Sequence, residues 1–378
     1  MTSPPSFVPL PEVFSMYRGG ELHQARIAYE TWGRLNPQRD NAVLLFTGLS
    51  PTAHAASNPS DPSPGWWEYM IGPGRPIDTD RYYVICVNSL GSCFGSTGPA
   101  SPDPRTGERY GLDFPELAVE DIARAGHQVI EALGLERLHA VMGASLGGMS
   151  ALAYGVLYGE RVAQLVVLCS APRATPFAIA MRSLQREIIR SDPAWKGGRY
   201  GPSEQPLEGM RMARKLGLMS YRSAAEWEQR FARERVAAES GSPEPFGVEF
   251  QVESYLDANA RRFVGHFDAN CYLYLSRAMD WFDLAEHGGS LDSALQRIGA
   301  ARCLVVGVES DFLFPLHQQQ DLAARLRRLG HNVEFAVLAS IQGHDSFLVD
   351  QERFAAVIGD FFAAGAVASG RDGRTATA

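Results

Sequence analysis

Three side chains in this 378-residue sequence have the types and the order needed to relay a proton to and from a nucleophile: Ser145, Asp311 and His344. Ser145 lies in Gly143-Ala144-Ser145-Leu146-Gly147, directly after the apolar run Ala140-Val141-Met142, and small residues with helical character follow at 150–158. A strand that passes through a glycine-flanked serine into a helix is a nucleophile elbow, a strained turn that pushes the hydroxyl out of the sheet. The glycines are required because a side chain at either position would meet the helix crossing close by. The Leu146 amide would then stand at the helix N-terminus, where an unpaired N–H can hold an oxyanion. The plainer alternative is a tight glycine turn whose serine only caps the helix.

A serine hydroxyl becomes a useful nucleophile when a base takes its proton and an acid orients that base. The apolar run 303–308 reads as a buried strand, and Asp311 follows it in Glu309-Ser310-Asp311-Phe312. Glu309 is the rival acid, nearer the strand end. A helix at 316–329 and a strand at 333–338 lead to Gly343-His344, with a final helix expected at 351–362. All three groups are therefore expected on loops at one edge of a sheet, the edge at which α/β folds hold their ligands. Of the nine histidines, His54 is the other one that follows a strand.

The elements that must position these groups can be read from the same periodicity. Strands are expected at 24–29, 42–47, 82–87, over the apolar run that leads into Gly143, and at 164–169, and an amphipathic helix at 118–133. Strands alternating with helices imply a mostly parallel sheet flanked by helices, an α/β fold. After Ala171-Pro172-Arg173 the texture changes, with helical patterns at 177–190, 206–216, 223–238, 250–263 and 270–277 separated by Gly- and Pro-rich loops. This segment, 173–300, reads as a helical lid inserted over the catalytic edge, between core segments 1–172 and 301–365. The small, polar tail at 366–378 is expected to be flexible.

Composition narrows the function. A net charge of −8 without a basic run argues against a nucleic-acid surface. An apolar stretch long enough to span a bilayer is absent, and the first residues lack the pattern of a secretory signal, so a cytoplasmic protein is expected. The five cysteines form no C-x-x-C pair and read as small buried hydrophobes. No acidic or histidine cluster has metal-ligand spacing, so metal-free chemistry is expected.

Longer strings carry a resemblance. Gly65-Trp66-Trp67-Glu68, Ile71-Gly72-Pro73-Gly74-Arg75-Pro76-Ile77-Asp78, Asn88-Ser89-Leu90-Gly91-Ser92-Cys93-Phe94-Gly95-Ser96-Thr97-Gly98-Pro99 and Asp113-Phe114-Pro115 resemble the homoserine O-acetyltransferase family of the α/β-hydrolase superfamily. The resemblance implies an α/β-hydrolase fold with an inserted helical lid, and a homodimer. It also implies acyl transfer from acyl-CoA to the hydroxyl of a free hydroxy amino acid, with no cofactor beyond the donor thioester. Within that family, Thr47-Gly48-Leu49-Ser50-Pro51-Thr52-Ala53-His54 replaces the shorter Thr-Gly-Asp-Ala-His of acetyl-transferring homoserine enzymes. That loop, with Met181-Arg182-Ser183-Leu184-Gln185-Arg186-Glu187 and Gly209-Met210-Arg211-Met212-Ala213-Arg214-Lys215, resembles the serine O-succinyltransferase branch. The elbow departs from its relatives, which often carry Asn or Gly before the serine and Met after it.

On this likeness Ser145 would carry the acyl group, with the amides of Leu49 and Leu146 as oxyanion donors. Arg214 would meet the amino acid's carboxylate and Asp345 its ammonium; the plainer readings are a surface charge and a helix cap. A succinyl donor carries one more carboxylate and needs one more cation, for which Arg186 is the choice and Arg173 and Arg182 the rivals. Ser50, Pro51, Thr52 and Ala53 lie where acceptor length would be felt, and Tyr221 and Arg222 are expected near the pocket. Alternatives are a homoserine O-acetyl- or O-succinyltransferase, an esterase or thioesterase on the same scaffold, and a binding protein that kept the fold.

Overall fold

Short runs of apolar residues without a polar face must be covered on both sides, which is the condition for a largely parallel sheet. In the computed structural model, which describes residues 5–237 and 245–369, such runs form the middle of one eight-stranded sheet, and its two edge strands are partly exposed. Its strands are β1 (Ser6–Pro9), β2 (Arg26–Trp32), β3 (Ala42–Phe46), β4 (Tyr83–Val87), β5 (Ala140–Ala144), β6 (Gln164–Leu168), β7 (Arg302–Val308) and β8 (Asn332–Leu338). Their order is β1-β2-β4-β3-β5-β6-β7-β8. β2 runs antiparallel to both β1 and β4, and the remaining pairs are parallel.

Alternate side chains of each strand enter opposite cores. Leu44, Phe46, Val141, Val167 and Val305 pack with α1 (Val119–Ala132) and α2 (Leu146–Leu157). Val43, Leu45, Met142, Val166 and Val306 pack with Trp67 and with Phe354, Ile358 and Phe361 of the C-terminal helix on the other face. Four of the five cysteines are buried in these layers, and Cys93 is half-buried.

Between β6 and β7 the chain leaves the sheet and forms α3 (Pro176–Ser191), α4 (Leu207–Tyr221), α5 (Ala224–Phe231), α6 (Gln251–Phe263) and α7 (Ala269–Trp281). Side-chain caps fix where several of these helices start: Thr175 accepts from the Ala178 amide, Ser223 from Glu226 and Asp268 from Cys271. After β7 come α8 (Leu316–Arg328) and α9 (Gln351–Ser369).

The boundaries differ from the expected ones in instructive ways. The second strand starts at Arg26 because Gln24 takes φ 49°, outside the extended region. The helix expected at 223–238 stops at Phe231, where Ala232 takes φ 42° and the chain turns so that Arg235 bridges to Phe250. The remainder of that stretch, from 238, lies outside the described residues. The helix after the elbow begins at Leu146, and α4 runs on to Tyr221. The C-terminal helix continues to Ser369, past the expected start of the tail, whose last residues, 370–378, lie outside the described residues. No described helix is long and apolar enough to cross a membrane.

Candidate active site

Ser145 occupies the turn between β5 and α2 with φ 57° and ψ −122°, a conformation rarely adopted by a residue with a side chain. The neighbouring glycines show what holds it there. A Cβ on Gly143 would come within 2.2 Å of the Gly147 backbone, and one on Gly147 within 2.3 Å of the Phe46 carbonyl oxygen. The helix can therefore press against β3 and β5 only with hydrogen at both positions. Ser170 Oγ donates to the Ser145 carbonyl at 2.7 Å, and Gln319 Nε2 donates to the Ser170 carbonyl at 2.9 Å, so the turn is also tied from below.

Asp311 stands in the loop after β7, where its Oδ1 accepts from the amides of Leu313 and Phe314, each at 2.9 Å. Its Oδ2 lies 2.8 Å from His344 Nδ1, and His344 Nε2 lies 2.8 Å from Ser145 Oγ. An ionised carboxylate only accepts, so the imidazole proton sits on Nδ1 and leaves Nε2 free to accept from the serine. The three expected groups thus meet in one relay. Glu309, the rival acid, is exposed, and His54 is engaged elsewhere by Glu30 and the Ser63 carbonyl, each at 2.8 Å.

The helical insertion holds the histidine loop directly. Gly343 takes φ 66° and abuts the Tyr221 carbonyl and Arg222 so closely that a Cβ there would lie 2.8 Å from that oxygen. Ser223 Oγ donates to the Ile341 carbonyl, and Arg222 Nη1 donates to Gln342 at 2.9 Å. The position of His344 therefore depends on the insertion as well as on the core.

Ser145 and His344 open into a cavity of about 150 Å³ whose wall includes Leu49, Ser50, Pro51, Trp66, Arg182, Gln185, Arg214, Tyr221, Tyr272 and Asp345. Among the described residues, neither the Leu49 nor the Leu146 amide donates to a protein acceptor. Of the loop expected to sense the acceptor, Ser50 and Pro51 face the cavity. Thr52 contributes by accepting from Trp66 Nε1 at 3.1 Å through its carbonyl, and Ala53 is buried outside the wall.

Both residues expected to anchor the acceptor line the cavity. Arg214 lines it stacked 4.3 Å from the Phe263 ring centre, and its buried Nε has no hydrogen-bond partner among the described residues. Asp345 lies 3.2 Å from Arg222 Nε. Burial pushes its carboxyl above the usual carboxylate range, while Arg222, His344 and Arg214 pull it back. Burial likewise raises the phenol of Tyr221.

The arginine expected to meet a donor carboxylate is placed differently. Arg186 does not line this cavity; it stands one turn along the same face of α3, where its Nη2 contacts Asp280 Oδ2 at 2.7 Å. Arg173 is exposed and lines a separate groove. Arg182, one turn earlier, is the arginine of α3 in the cavity wall. The walls supplied by Gln185, Tyr272 and Trp66 were not expected as site residues. Gln185 shares the buried face of α3 with Arg182, which helical spacing signals, whereas the approach of Tyr272 and Trp66 depends on tertiary packing alone.

A profile of the alpha/beta hydrolase fold family matches residues 41–351 of this chain. A serine O-succinyltransferase from Litchfieldella anticariensis is 60% identical, over 94% of this chain and 98% of its own. The chain belongs to the alpha/beta hydrolase family, in its serine O-succinyltransferase branch. A second serine O-succinyltransferase, from Frateuria aurantia, is 60% identical to this alpha/beta hydrolase over 93% of the chain and 96% of its own. The crystal structure of homoserine O-acetyltransferase from Bacillus anthracis superposes with a TM-score of 0.87 at 31% identity, covering 94% of this chain and 96% of that one. A crystallised esterase superposes at 0.84 with 27% identity, covering 94% and 98%. In this alpha/beta hydrolase a base-paired serine, two idle amides and a cavity with charges of both signs can together support covalent acyl chemistry on a zwitterionic acceptor.

Proposed function

We propose that this enzyme transfers the succinyl group of succinyl-CoA to the hydroxyl of L-serine through an acyl-serine intermediate, in cysteine biosynthesis. The observation that carries the reading is that His344 bridges Ser145 and Asp311 in the same cavity that presents Arg214 and Asp345. The high identity to serine O-succinyltransferases across nearly the whole chain selects the acceptor and the donor.

In the first half-reaction His344 Nε2 takes the Ser145 proton as Oγ attacks the thioester carbonyl, and Asp311 stabilises the imidazolium. The amides of Leu49 and Leu146 hold the oxyanion, each contributing about 3 kcal/mol to lowering the barrier. The carbon–sulfur bond breaks, and CoA leaves with the proton from His344. In the second half-reaction the acceptor hydroxyl gives its proton to His344 and attacks the acyl-serine, and Ser145 departs reprotonated. Arg214 holds the acceptor's carboxylate with its planar fork and Asp345 holds its ammonium. Ser50 and Pro51, backed by Thr52 and Ala53, set how far the acceptor hydroxyl reaches. The reaction needs no cofactor beyond the thioester, and the helical insertion acts as a lid that keeps water from the acyl-enzyme.

The working form is a cytoplasmic homodimer. Exposed Phe177, Leu184, Met212 and Met219 on α3 and α4 give a second copy an apolar surface to cover.

The test is a four-way assay of succinyl-CoA or acetyl-CoA with L-serine or L-homoserine. Succinyl-CoA with serine is expected to give the highest kcat/KM. Preference for acetyl-CoA with homoserine would assign the enzyme to the neighbouring activity instead.

A further inference from the structure

His54 follows a strand, as a catalytic histidine does, yet the triad does not use it. Its ring closes the loop that leaves β3, the loop that carries the Leu49 amide and turns Ser50 and Pro51 to the cavity. Both ring nitrogens meet acceptors. Nδ1 stands 2.8 Å from Glu30 Oε2 on β2, and Nε2 stands 2.8 Å from the Ser63 carbonyl. Asn58 Nδ2 donates to the same Glu30 oxygen at 3.2 Å, as it would to an ionised carboxylate. The Ser63 hydroxyl, 3.5 Å from Nε2, directs its own proton to Asp61 at 2.6 Å. A neutral imidazole has one N–H and can serve only one of these partners. The geometry therefore calls for a proton on each nitrogen, an imidazolium.

The surroundings suit that charge. The side chains of His54 and Glu30 are each 13% exposed, and Asp61 Oδ2 lies 3.9 Å from Nδ1. Glu68, on the turn packed against the loop, is the third carboxylate nearby and accepts from the Ser57 and Gly65 amides at 2.7 and 2.9 Å. Among the described residues none of the three has an arginine or lysine partner, so His54 is the cation of the cluster. Burial works against its charge, but the Ser63 carbonyl, Glu30 and Asp61 outweigh it, and the ring holds its second proton above the usual histidine range.

The cluster reaches the reaction through the backbone. The Trp66 amide donates to the His54 carbonyl at 3.3 Å, and Trp66 Nε1 donates to the Thr52 carbonyl at 3.1 Å. A Cβ on Gly65 would come within 2.2 Å of the Ala55 backbone, so the turn through Gly65 and Glu68 lies directly on the loop. On the other side, Asn88 Nδ2 donates to the Pro51 carbonyl at 3.1 Å.

We propose that His54 is a cationic positioning residue: bridging Glu30 and the Ser63 carbonyl, it fixes the loop that brings the Leu49 amide to the oxyanion and sets Ser50 and Pro51 against the acceptor. The proposal rests on the acyl-serine chemistry within the succinyl-transfer reading, and not on the identity of donor or acceptor. When the second proton leaves, one nitrogen turns a lone pair toward an acceptor oxygen and the loop loses an anchor. Acylation should therefore weaken as pH rises through the His54 pKa, the direction set by a histidine held in its charged form.

The experiment follows acylation of Ser145 by p-nitrophenyl acetate as nitrophenol release, between roughly pH 6 and 10. This probe needs neither CoA nor an amino acid. The wild-type rate constant is expected to fall by roughly tenfold along the alkaline limb, a fraction of the cost of losing an oxyanion donor outright. In Glu30→Gln the amide can donate to an unprotonated Nδ1, so the bridge closes on a neutral ring and the alkaline fall should disappear. Glu30→Ala offers neither charge nor donor and should be slower by roughly tenfold below that limb, with a flat profile above it. A histidine that only supports the fold would lower rates without changing the shape of the profile. Nitrogen-15 spectra of the wild type should also show both His54 ring nitrogens protonated at neutral pH.

A His54 ring found neutral at neutral pH would overturn the proposal without any variant having to fold. So would a wild type with no alkaline fall, or a Glu30→Gln enzyme that keeps it. If nitrophenol release follows the expected profiles while succinyl-CoA and L-serine give no product, the succinyl-transfer reading falls and the positioning role of His54 stands.

Discussion

Arg214 illustrates how a single side chain can be prepared for a ligand. Its guanidinium lies on the Phe263 face at 4.3 Å and near Tyr221 at 5.6 Å, which offsets part of the cost of burial, yet Nε has no hydrogen-bond partner among the described residues. A planar fork suits a carboxylate where an ammonium does not. Arg214→Lys should therefore raise KM for L-serine by roughly 10- to 100-fold with a smaller change in kcat, the pattern of lost acceptor binding. Asp345→Asn should act in the same direction, and steady-state kinetics at saturating succinyl-CoA checks both. An unchanged KM in both variants would remove them from the acceptor site. At this scale the triad was legible because chain order and strand ends constrain it strongly. Arg182 was not separable from Arg186, because the two stand one turn apart on the same face of α3 and which of them reaches the cavity depends on where along its length the helix meets the site.

Elements were legible wherever one physical demand dominated. The buried strands were evident as apolar runs, and the elbow as a glycine pattern that only close packing explains. The helix after Ser223 was overextended because its composition suits a helix well past Phe231. The turn at Ala232 is imposed by pairing with Phe250, a contact invisible to local propensity. The N-terminus of α1 yields a prediction about pH. Asp121, fully buried, accepts from the Ala118 amide at 2.9 Å and the Tyr17 amide at 2.7 Å. Burial pushes its carboxyl up to about 6 against those bonds. A carboxyl raised in the folded state stabilises the fold fully below its ordinary pKa, and that contribution is lost as pH rises through about 6. The stability of the wild type relative to Asp121→Asn should therefore decline between pH 4 and 7.5 by up to about 3 kcal/mol. Thermal unfolding of both proteins across that range reads the difference, and a gap independent of pH would show that the two amides hold the carboxylate ionised throughout.

At the scale of the whole molecule, the sheet, elbow and triad cannot by themselves decide between transfer and hydrolysis, because esterases use the same fold. What lines the cavity matters more, and the insertion builds one wall of it from α3, α4 and α7 and grips the loop of His344 through Tyr221, Arg222 and Ser223. A cavity of about 150 Å³ around Ser145 leaves little room for bulk water once an acyl chain occupies it. The acyl-enzyme should therefore outlive the time needed for an acceptor to arrive. Mixing enzyme with succinyl-CoA alone should release CoA in a burst close to one equivalent per active site, followed by slow turnover. Adding L-serine should then accelerate CoA release by roughly 100-fold or more, because an oriented hydroxyl reacts as a neighbouring group and random water does not. Ser145→Ala should abolish the burst itself, which ties the stored acyl group to that oxygen. Equal steady rates with and without serine would mean that water reaches the intermediate as easily as the amino acid does, and would favour the esterase or thioesterase reading for this chain.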